Sequence, residues 1–218
     1  MSLQNRCDPA GMLHDHPARG LFTGNRGIIH DAATKALTGK RWTTKAWICC
    51  APDWKGHTRD VWGRNHSKSD GSRSEGWTEL FFCDEVTALA AGHRPCFTCR
   101  RAEAEMFAAA FAQGQGRTGI SAPDMDEILH HQRRLSMQGE PQRLSMIDLP
   151  SLPDGTVVES GGRFYALRER RALAWDFSGY GAPQGLSDLM RATIMLVTPK
   201  ATVAALRSGY MPVWARVP

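Results

Sequence analysis

Two cysteines separated by two residues, Cys96 and Cys99, are the part of the sequence with the clearest chemistry. Thiolates at this spacing can converge on one metal ion, and zinc is the ion that such groups commonly hold in structural sites. An Ala-, Glu- and Phe-rich segment that predicts a helix follows the pair, so the first helical amides lie close to the sulfurs. A redox pair of the thioredoxin type would follow a buried strand in a βαβ unit. The pair here follows a helix end, which favours zinc.

Zinc takes about four ligands, so the pair needs partners from elsewhere in the chain. Cys49 and Cys50 end a strand-like segment just before Pro52. Side chains alternate along a strand, so only one of these neighbours is expected to face the metal, although the turn at Pro52 can let both reach it. We favour Cys50, and Cys49, His93 and His66 compete for the fourth place. The predicted metal site therefore comprises Cys49, Cys50, Cys96 and Cys99.

The other two cysteines carry less information. Cys83 follows two phenylalanines in a segment that predicts a buried strand, where a free cysteine is more often a small core residue than a ligand. Cys7 lies in the N-terminal segment and accompanies no recognisable motif. In a reducing compartment, none of the six cysteines is expected to form a disulfide.

The elements that position the cysteine pair are a strand, a helix and a glycine, all within TELFFCDEVTALAAGHRPC (78–96). The C-terminal segment TIMLVTPKATVAALRSGYMPV (193–213) has the same order of strand, helix, glycine, ring residue and proline, but it has no cysteine. Gly92 and Gly209 are the predicted helix stops. The parallel predicts a degenerate second copy of the strand–helix unit, with coincidence as the alternative because glycine followed by proline is a common helix stop.

The segment FFCDEVTALAAGHRPCFTCRR (81–101) resembles the N-terminal metal-binding module of the Ada DNA-repair family. In that family a strand and an Ala-rich helix lead into Arg-Pro-Cys-x-x-Cys, and this pair supplies two of four zinc thiolates. One of the earlier cysteines accepts a methyl group from a DNA phosphotriester. The resemblance covers residues 47–101 and implies binding of zinc and DNA. Because Cys49 and Cys50 are adjacent, unlike the family's spaced first pair, an alkyl acceptor at either of them is the alternative rather than the main expectation.

Basic and aromatic residues are concentrated before the cysteine pair. Five of the seven tryptophans and eight Lys or Arg residues lie between positions 40 and 77, and residues 1–73 carry all the excess positive charge of a chain with net charge +5. Cations hold phosphates and aromatic rings stack on bases, although any single Trp is more often packed in a core. We therefore expect nucleic acid, and DNA in particular, as the partner. The predicted contacts are Arg41, Lys45, Trp54, Lys55, Arg59, Arg64, Arg94, Arg100 and Arg101.

An enzyme is the main alternative to a binding protein, and His30 and Asp31 are its candidate catalytic residues. A histidine beside an acid can act as a base, and the glycines that precede it can bring backbone amides close to a phosphate. No spacing of the HExxH or GxSxG kind accompanies them. The alternative function is therefore a hydrolase or a nucleic-acid-processing enzyme of undefined motif.

The element pattern predicts an α+β fold in which an Ada-like zinc module, made of a small sheet and helices, joins a β-rich C-terminal half. Strand alternation appears in TVVES, RFYALRE and RALAWDF, with a turn at Gly161 and Gly162. A helix is predicted from Asp124 to Met137, with Ser121 as its cap. The predicted segments are a loop-rich part (1–45), the zinc module (46–112), a linker with a helix (113–150) and a β-rich domain (151–218).

Length and composition exclude several classes of protein. The chain has 218 residues, of which 42% are hydrophobic and 22% charged, as in a globular protein of one ordinary or two small domains. No apolar run approaches the ~18 residues of a membrane helix. The first residues lack the basic head and apolar stretch of a secretory signal. We therefore expect a cytoplasmic protein without a membrane partner.

Overall fold

The computed structural model describes residues 3–56, 59–133, 142–145 and 147–216, with side chains at all of these positions except 190 and 191. Within these ranges the chain has the predicted mixed α+β fold. Its strands are β1 (Gln4–Cys7), β2 (Leu13–Asp15), β3 (Phe22–Asn25), β4 (His30–Asp31), β5 (Ala36–Leu37), β6 (Ile48–Cys50), β7 (His66–Ser67), β8 (Arg73–Ser74), β9 (Leu80–Phe82), β10 (Arg94–Pro95), β11 (Val157–Ser160), β12 (Arg163–Arg168), β13 (Arg171–Asp176), β14 (Gly179–Tyr180) and β15 (Ile194–Leu196). Its α-helices are α1 (Glu85–Ala90), α2 (Arg101–Gly114), α3 (Ala122–Gln132) and α4 (Lys200–Arg207), and short 3-10 helices cover Leu149–Ser151 and Leu186–Arg191.

The first sheet has six strands in the order β10-β6-β3-β9-β1-β2. The pairs β1–β9 and β6–β10 are parallel and the other neighbours are antiparallel. Parallel neighbours require long connections, so this sheet joins strands that lie far apart in the sequence. Strand β3 passes between β6 and β9 at Gly24, where a Cβ atom would lie only 2.1 Å from the carbonyl oxygen of Ile48. The strand that carries Cys50 can therefore lie close to β3 only because residue 24 has no side chain.

The second sheet is antiparallel throughout, with five strands in the order β14-β13-β12-β11-β15. A two-residue turn at Gly161 and Gly162 joins β11 to β12, and both glycines have positive φ, 57° and 74°. Glycine adopts this region without steric cost, which suits tight hairpins. The hairpin predicted at this position is therefore confirmed.

Helix α1 lies between the two sheets. It begins at Asp84, whose carboxylate accepts a hydrogen bond from the Thr87 amide at 2.8 Å and so satisfies a free amide of the first turn. All six of its residues are buried. Ala88 packs into the core of the first sheet, whereas Val86 and Ala90 pack into the core of the second. Because these side chains are small, both sheets can approach the same short helix.

The remaining helices pack together beside α1. One core cluster contains Leu89 of α1 together with residues of α2, α3 and α4, and α2 lies against α4. Helix α3 begins after Ser121, whose hydroxyl accepts a hydrogen bond from the Asp124 amide at 3.3 Å, as predicted. The helix ends at Gln132, and residues 134–137 of its predicted extension lie outside the described residues.

The two strand–helix units predicted to resemble each other end with the same backbone geometry. Gly92 follows α1 with φ 83° and Gly209 follows α4 with φ 100°. After each helix, the glycine amide bonds to the carbonyl three positions earlier and the next amide bonds to the carbonyl five positions earlier. This pattern is the Schellman helix end. The shared order of strand, helix and glycine is thus present in both units, while their origin from a duplication stays a prediction.

The six-stranded sheet takes strands from both the segment predicted as 1–45 and the segment predicted as 46–112. The second sheet lies within the segment predicted as β-rich. The boundaries between the four predicted segments stay a prediction. In the part of the chain that the structure describes, no helix combines the length and apolar character needed to cross a bilayer.

Candidate metal centre

The parallel pairing of β6 with β10 brings two cysteines to the same end of the first sheet. Pro95 lies in register with Cys49, and the Cys96 amide donates a hydrogen bond to the Cys49 carbonyl at 3.0 Å. Cys50 is the last residue of β6 and Cys96 directly follows β10. Cys99 lies at the end of the turn that leads into α2. Two strand ends and one helix start therefore position the three thiols.

The Sγ atoms of Cys50, Cys96 and Cys99 all lie within 4.8 Å of one another. A tetrahedral zinc ion with Zn–S bonds of about 2.3 Å requires its sulfurs about 3.8 Å apart, which small side-chain rotations reach from this arrangement. Among the residues that the structure describes, no further His, Cys, Asp or Glu side chain belongs to the group. The cluster can therefore hold a metal ion through three thiolates.

Backbone amides surround the cluster and favour negative charge on it. The Thr98 amide donates to Cys96 Sγ at 3.3 Å, and the Cys99 amide also bonds to this sulfur. The Ala51 amide donates to the sulfur of Cys99. Hydrogen bonds to charged acceptors are stronger than neutral ones, and the adjacent N-terminus of α2 contributes its partial positive charge. The turn between β10 and α2 is thus built to stabilise thiolates.

Hydrogen bonds among the three thiols shift their pKa values in opposite directions. The hydrogen bond from Cys50 lowers the pKa of Cys96 to about 4, with the Cys99 and Thr98 amides acting in the same direction and burial opposing them. The same donor lowers the pKa of Cys99. The pKa of Cys50 is raised because it donates to both neighbours, and burial adds to this. A metal ion that binds all three sulfurs must displace the Cys50 proton, so binding releases protons.

Cys49 lies outside this group, although it adjoins Cys50. Its side chain is fully buried in the core of the first sheet, and its Sγ accepts a hydrogen bond from Arg100 at 3.5 Å. Alternation along β6 explains why the two neighbours face different environments. Cys7 and Cys83 are also core residues, and burial raises the pKa of each thiol to about 12.

The two histidines considered as a fourth ligand also lie outside the group. His93 is fully buried, with its ring centroid 5.0 Å from that of Trp47 and 4.6 Å from that of Phe82. His66 is exposed in β7. Neither belongs to the cluster of donor atoms found among the described residues. The structure therefore brings together three of the sequence-predicted ligands and places the remaining candidates elsewhere.

The candidate catalytic residues His30 and Asp31 are adjacent in β4, but their side chains have different surroundings. His30 is 3% exposed, its Nδ1 lies 2.6 Å from Thr78 Oγ1, and its ring stacks on Trp62 at 5.5 Å. Asp31 is exposed and accepts hydrogen bonds from the Thr34 amide and hydroxyl in the following turn. The imidazole is enclosed and the carboxylate caps a turn, and a catalytic role for the pair stays a prediction.

Two of the nine residues predicted to contact nucleic acid are buried in ion pairs. The Arg94 guanidinium contacts both oxygens of Asp126 at 2.8 Å, and Arg100 Nη1 lies 2.9 Å from Glu85 Oε1. Both arginines connect elements of the interior: Arg94 joins β10 to α3, and Arg100, the residue before α2, joins that helix start to α1. Their charges are neutralised within the fold and are not presented at its surface.

The other seven predicted contacts lie wholly or partly at the surface. Three form ion pairs with glutamates, namely Lys45, Arg59 and Arg101. Three are exposed and have no ion pair among the described residues, namely Arg41, Lys55 and Arg64. Trp54 is half-buried, and the Lys55 ammonium lies 4.8 Å from its ring centroid. Exposed charge from this set therefore lies mainly in the loops around β6 and before β7.

Sequence reasoning missed two arginines that support the strand carrying Cys50. Arg26 and Arg133 are buried, and their guanidinium carbons lie 4.5 Å and 4.4 Å from the ring of Trp47. Trp47 directly precedes β6, so these contacts fix the start of the strand. Arginine is ordinarily exposed, and no local pattern in the sequence marks either one as a core residue.

Fold and site together define a mixed α+β protein with a three-cysteine cluster where two parallel strands end. No protein-family model, no curated protein and no solved structure matches the chain. The resemblance to the Ada module over residues 47–101 therefore stands on the sequence motif alone.

Proposed function

We propose that the protein binds zinc and that Cys50, Cys96 and Cys99 hold the ion. The observation that supports this most is the approach of three sulfurs to within 4.8 Å beside amide hydrogen-bond donors. Thiolate-rich sites with tetrahedral geometry suit zinc, because zinc accepts soft ligands and undergoes no redox change. The ion would tie the end of β6 to the start of α2, which is a structural role.

Metal content tests this proposal directly. Protein purified without chelator is expected to contain one zinc ion per chain, as measured by inductively coupled plasma mass spectrometry. Cys96→Ser is expected to remove most of that zinc because it deletes a ligand, whereas Cys83→Ser, a matched change of a core thiol, retains it. Full zinc content in Cys96→Ser, or a wild-type chain that takes up no added zinc, would refute the proposal.

Cobalt substitution gives a second readout that counts thiolates. Cobalt bound by thiolates absorbs in the near ultraviolet through sulfur-to-metal charge transfer, and the absorbance grows with the number of Co–S bonds. Cys50→Ser is expected to weaken this band, while Cys49→Ser leaves it unchanged because Cys49 faces the core. An equal decrease in both variants would place Cys49 among the ligands and contradict the assignment.

We also propose that residues 40–73, the basic region before the Cys96–Cys99 pair, contact nucleic acid. Between positions 40 and 73 the sequence has eight basic and only three acidic residues. Arg41, Lys55 and Arg64 are exposed, and they have no ion pair among the described residues. Contacts between such cations and phosphates release counterions and thus favour binding. Trp54, half-buried beside Lys55, adds an aromatic ring to this basic region.

A salt series with a matched charge-reversal control tests this proposal. Fluorescence anisotropy of labelled single- and double-stranded DNA is expected to show affinity that falls steeply with salt. The double variant Lys55→Glu and Arg64→Glu should weaken binding and reduce the salt slope by about 1 for each phosphate that it no longer neutralises. Arg207→Glu, an exposed change on α4, is the matched control. Equal effects of both variants, or no binding at low salt, would count against the proposal.

A further inference from the structure

The turn that holds Cys96 and Cys99 has the geometry for a reaction that zinc binding alone does not require. The Arg100 amide bonds to the Cys96 carbonyl at 2.9 Å, which closes the turn and keeps the two side chains together. A disulfide needs Cβ atoms about 3.8 Å apart, and Cys-x-x-Cys turns supply this spacing. The two sulfurs already lie within 4.8 Å. A bond between them therefore requires rearrangement of the turn only, and β6 can stay in place.

Accessibility differs among the cysteines in a way that directs a small oxidant to the cluster. Cys99 and Cys50 are half-buried, whereas Cys96 is 9% exposed. A small oxidant can therefore reach Cys99, and the adjacent Cys96 can react with the product. Cys7 and Cys49 are at most 1% exposed, and neither belongs to the cluster. Cys83 is 7% exposed and also lies outside the cluster. Oxidation should accordingly begin in the cluster, and the turn that holds Cys96 and Cys99 favours a bond between those two.

We propose that the cluster is a peroxide-sensitive zinc–thiolate switch in which a Cys96–Cys99 disulfide forms and the zinc is released. This inference rests on the proposed zinc binding and adds a regulation of the same site. Once two sulfurs are joined, Cys50 is the single thiolate left in the cluster, which is too few to hold zinc in a tetrahedral site.

The chemistry balances with hydrogen peroxide as the oxidant. The Cys99 sulfur attacks one peroxide oxygen, the O–O bond breaks, and the departing hydroxide takes a proton and leaves as water. The Cys96 sulfur then attacks the sulfenic sulfur of Cys99, the S–O bond breaks, and a second water leaves after protonation. The two sulfurs together lose two electrons, and the peroxide gains them.

The test uses the zinc-loaded full chain treated with hydrogen peroxide in the presence of a chromogenic zinc chelator. Zinc release is expected to run in step with the disappearance of two thiols, and intact mass should fall by two hydrogens. Peptide mapping should locate the disulfide between Cys96 and Cys99, and dithiothreitol with added zinc should restore the loaded state. Cys83→Ser should release zinc at the same rate, since Cys83 lies outside the cluster.

Two outcomes would overturn the switch. Zinc that stays bound while the peroxide oxidises a free-thiol reference compound shows that the cluster is protected. Zinc released with sulfinic acid at the cysteines and without a Cys96–Cys99 disulfide shows that oxidation is damage and not switching. A chain that binds no zinc at all refutes the proposed function together with the switch, whereas a zinc-loaded chain that resists peroxide refutes the switch alone.

Discussion

Arg100 and Glu85 form an ion pair inside the protein, with Arg100 Nη1 2.9 Å from Glu85 Oε1 and both side chains no more than 4% exposed. Arg100 directly follows Cys99, and Glu85 is the first residue of α1. The same carboxylate accepts hydrogen bonds from the Tyr210 hydroxyl at 2.6 Å and from the Val213 amide at 2.9 Å. One charge pair thus joins the cysteine turn to the C-terminal segment.

Removal of the Glu85 charge is expected to destabilise the protein strongly. Glu85→Gln leaves the Arg100 guanidinium buried without a counter-charge, a change that costs about 3–5 kcal/mol in comparable pairs. Urea unfolding followed by circular dichroism measures the difference. The control is Glu105→Gln, because Glu105 and Arg101 form an exposed pair worth less than about 1 kcal/mol. Similar destabilisation in both variants would contradict the role given to the buried pair.

A side chain at position 24 is expected to displace the strand that carries Cys50. In Gly24→Ala the new Cβ would lie 2.1 Å from the Ile48 carbonyl oxygen, so β3 and β6 must move apart. Overpacking of this kind costs about 1–3 kcal/mol. We expect lower stability in urea and weaker zinc binding in a chelator competition. Gly119→Ala is the control, since a Cβ there meets no atom within 4 Å.

Stability is expected to fall as the solution becomes mildly acidic. Burial lowers the pKa of His93 well below its ordinary 6.5, and the charges of Arg26 and Arg133 act in the same direction. As the pH falls through about 6.5, His93 therefore becomes protonated in the unfolded chain but stays neutral in the folded chain. The contribution of neutral His93 to the free energy of unfolding is fully present above that pH. Below that pH, the free energy of unfolding decreases by up to about 1.4 kcal/mol per pH unit.

Urea unfolding between about pH 7.5 and 5.5 tests this linkage. His93→Phe keeps an aromatic ring beside Trp47 and Phe82 but cannot be protonated, so the slope should become shallower. His30, whose pKa is also lowered chiefly by burial, should supply part of the slope that remains. His66→Gln changes an exposed side chain and should leave the slope as in the wild type. An unchanged slope in His93→Phe would rule out the assignment.

Removal of the metal is expected to loosen the cysteine turn and lower stability. A ligand held at 100 times its Kd stabilises the folded state by about 2.7 kcal/mol, so chelation should lower the melting temperature measurably. Calorimetry of zinc-loaded and chelator-treated protein gives the shift. Cys96→Ser should melt at the same temperature with or without chelator. A wild-type protein that is indifferent to the chelator would show that no structural metal is present.

Part of the three-cysteine cluster could be predicted from local sequence features, although the predicted ligands also included Cys49, which lies outside it. The two-residue spacing of Cys96 and Cys99 identifies the pair, and alternation along a strand predicts that one of Cys49 and Cys50 faces away. The structure brings Cys50 to the pair and leaves Cys49 in the core. The Cys96–Cys99 pair and the opposite facing of Cys49 and Cys50 could be predicted because each depends on residues close in the chain, whose geometry is set by the turn or strand that contains them.

The features that escaped prediction depend on residues far apart in the sequence. The sequence alone does not reveal the parallel pairing of β6 with β10, although that pairing creates the site. Arg94 and Arg100 looked like surface cations because their partners, Asp126 and Glu85, lie in helices elsewhere in the sequence. Hydrophobic patterning indicates which segments are buried, but it does not predict which buried charged side chains form ion pairs.

The placement of α1 has a consequence for anyone who wishes to shorten the chain. Val86 and Ala90 lie against residues of the C-terminal sheet, whereas Ala88, on the same helix, lies against the sheet that carries the cysteines. A truncation that ends at residue 112 would expose this apolar surface to water and delete Tyr210 and Val213, the donors that bond to the first carboxylate of the helix. Such a fragment should aggregate, and metal studies therefore require all 218 residues of the chain.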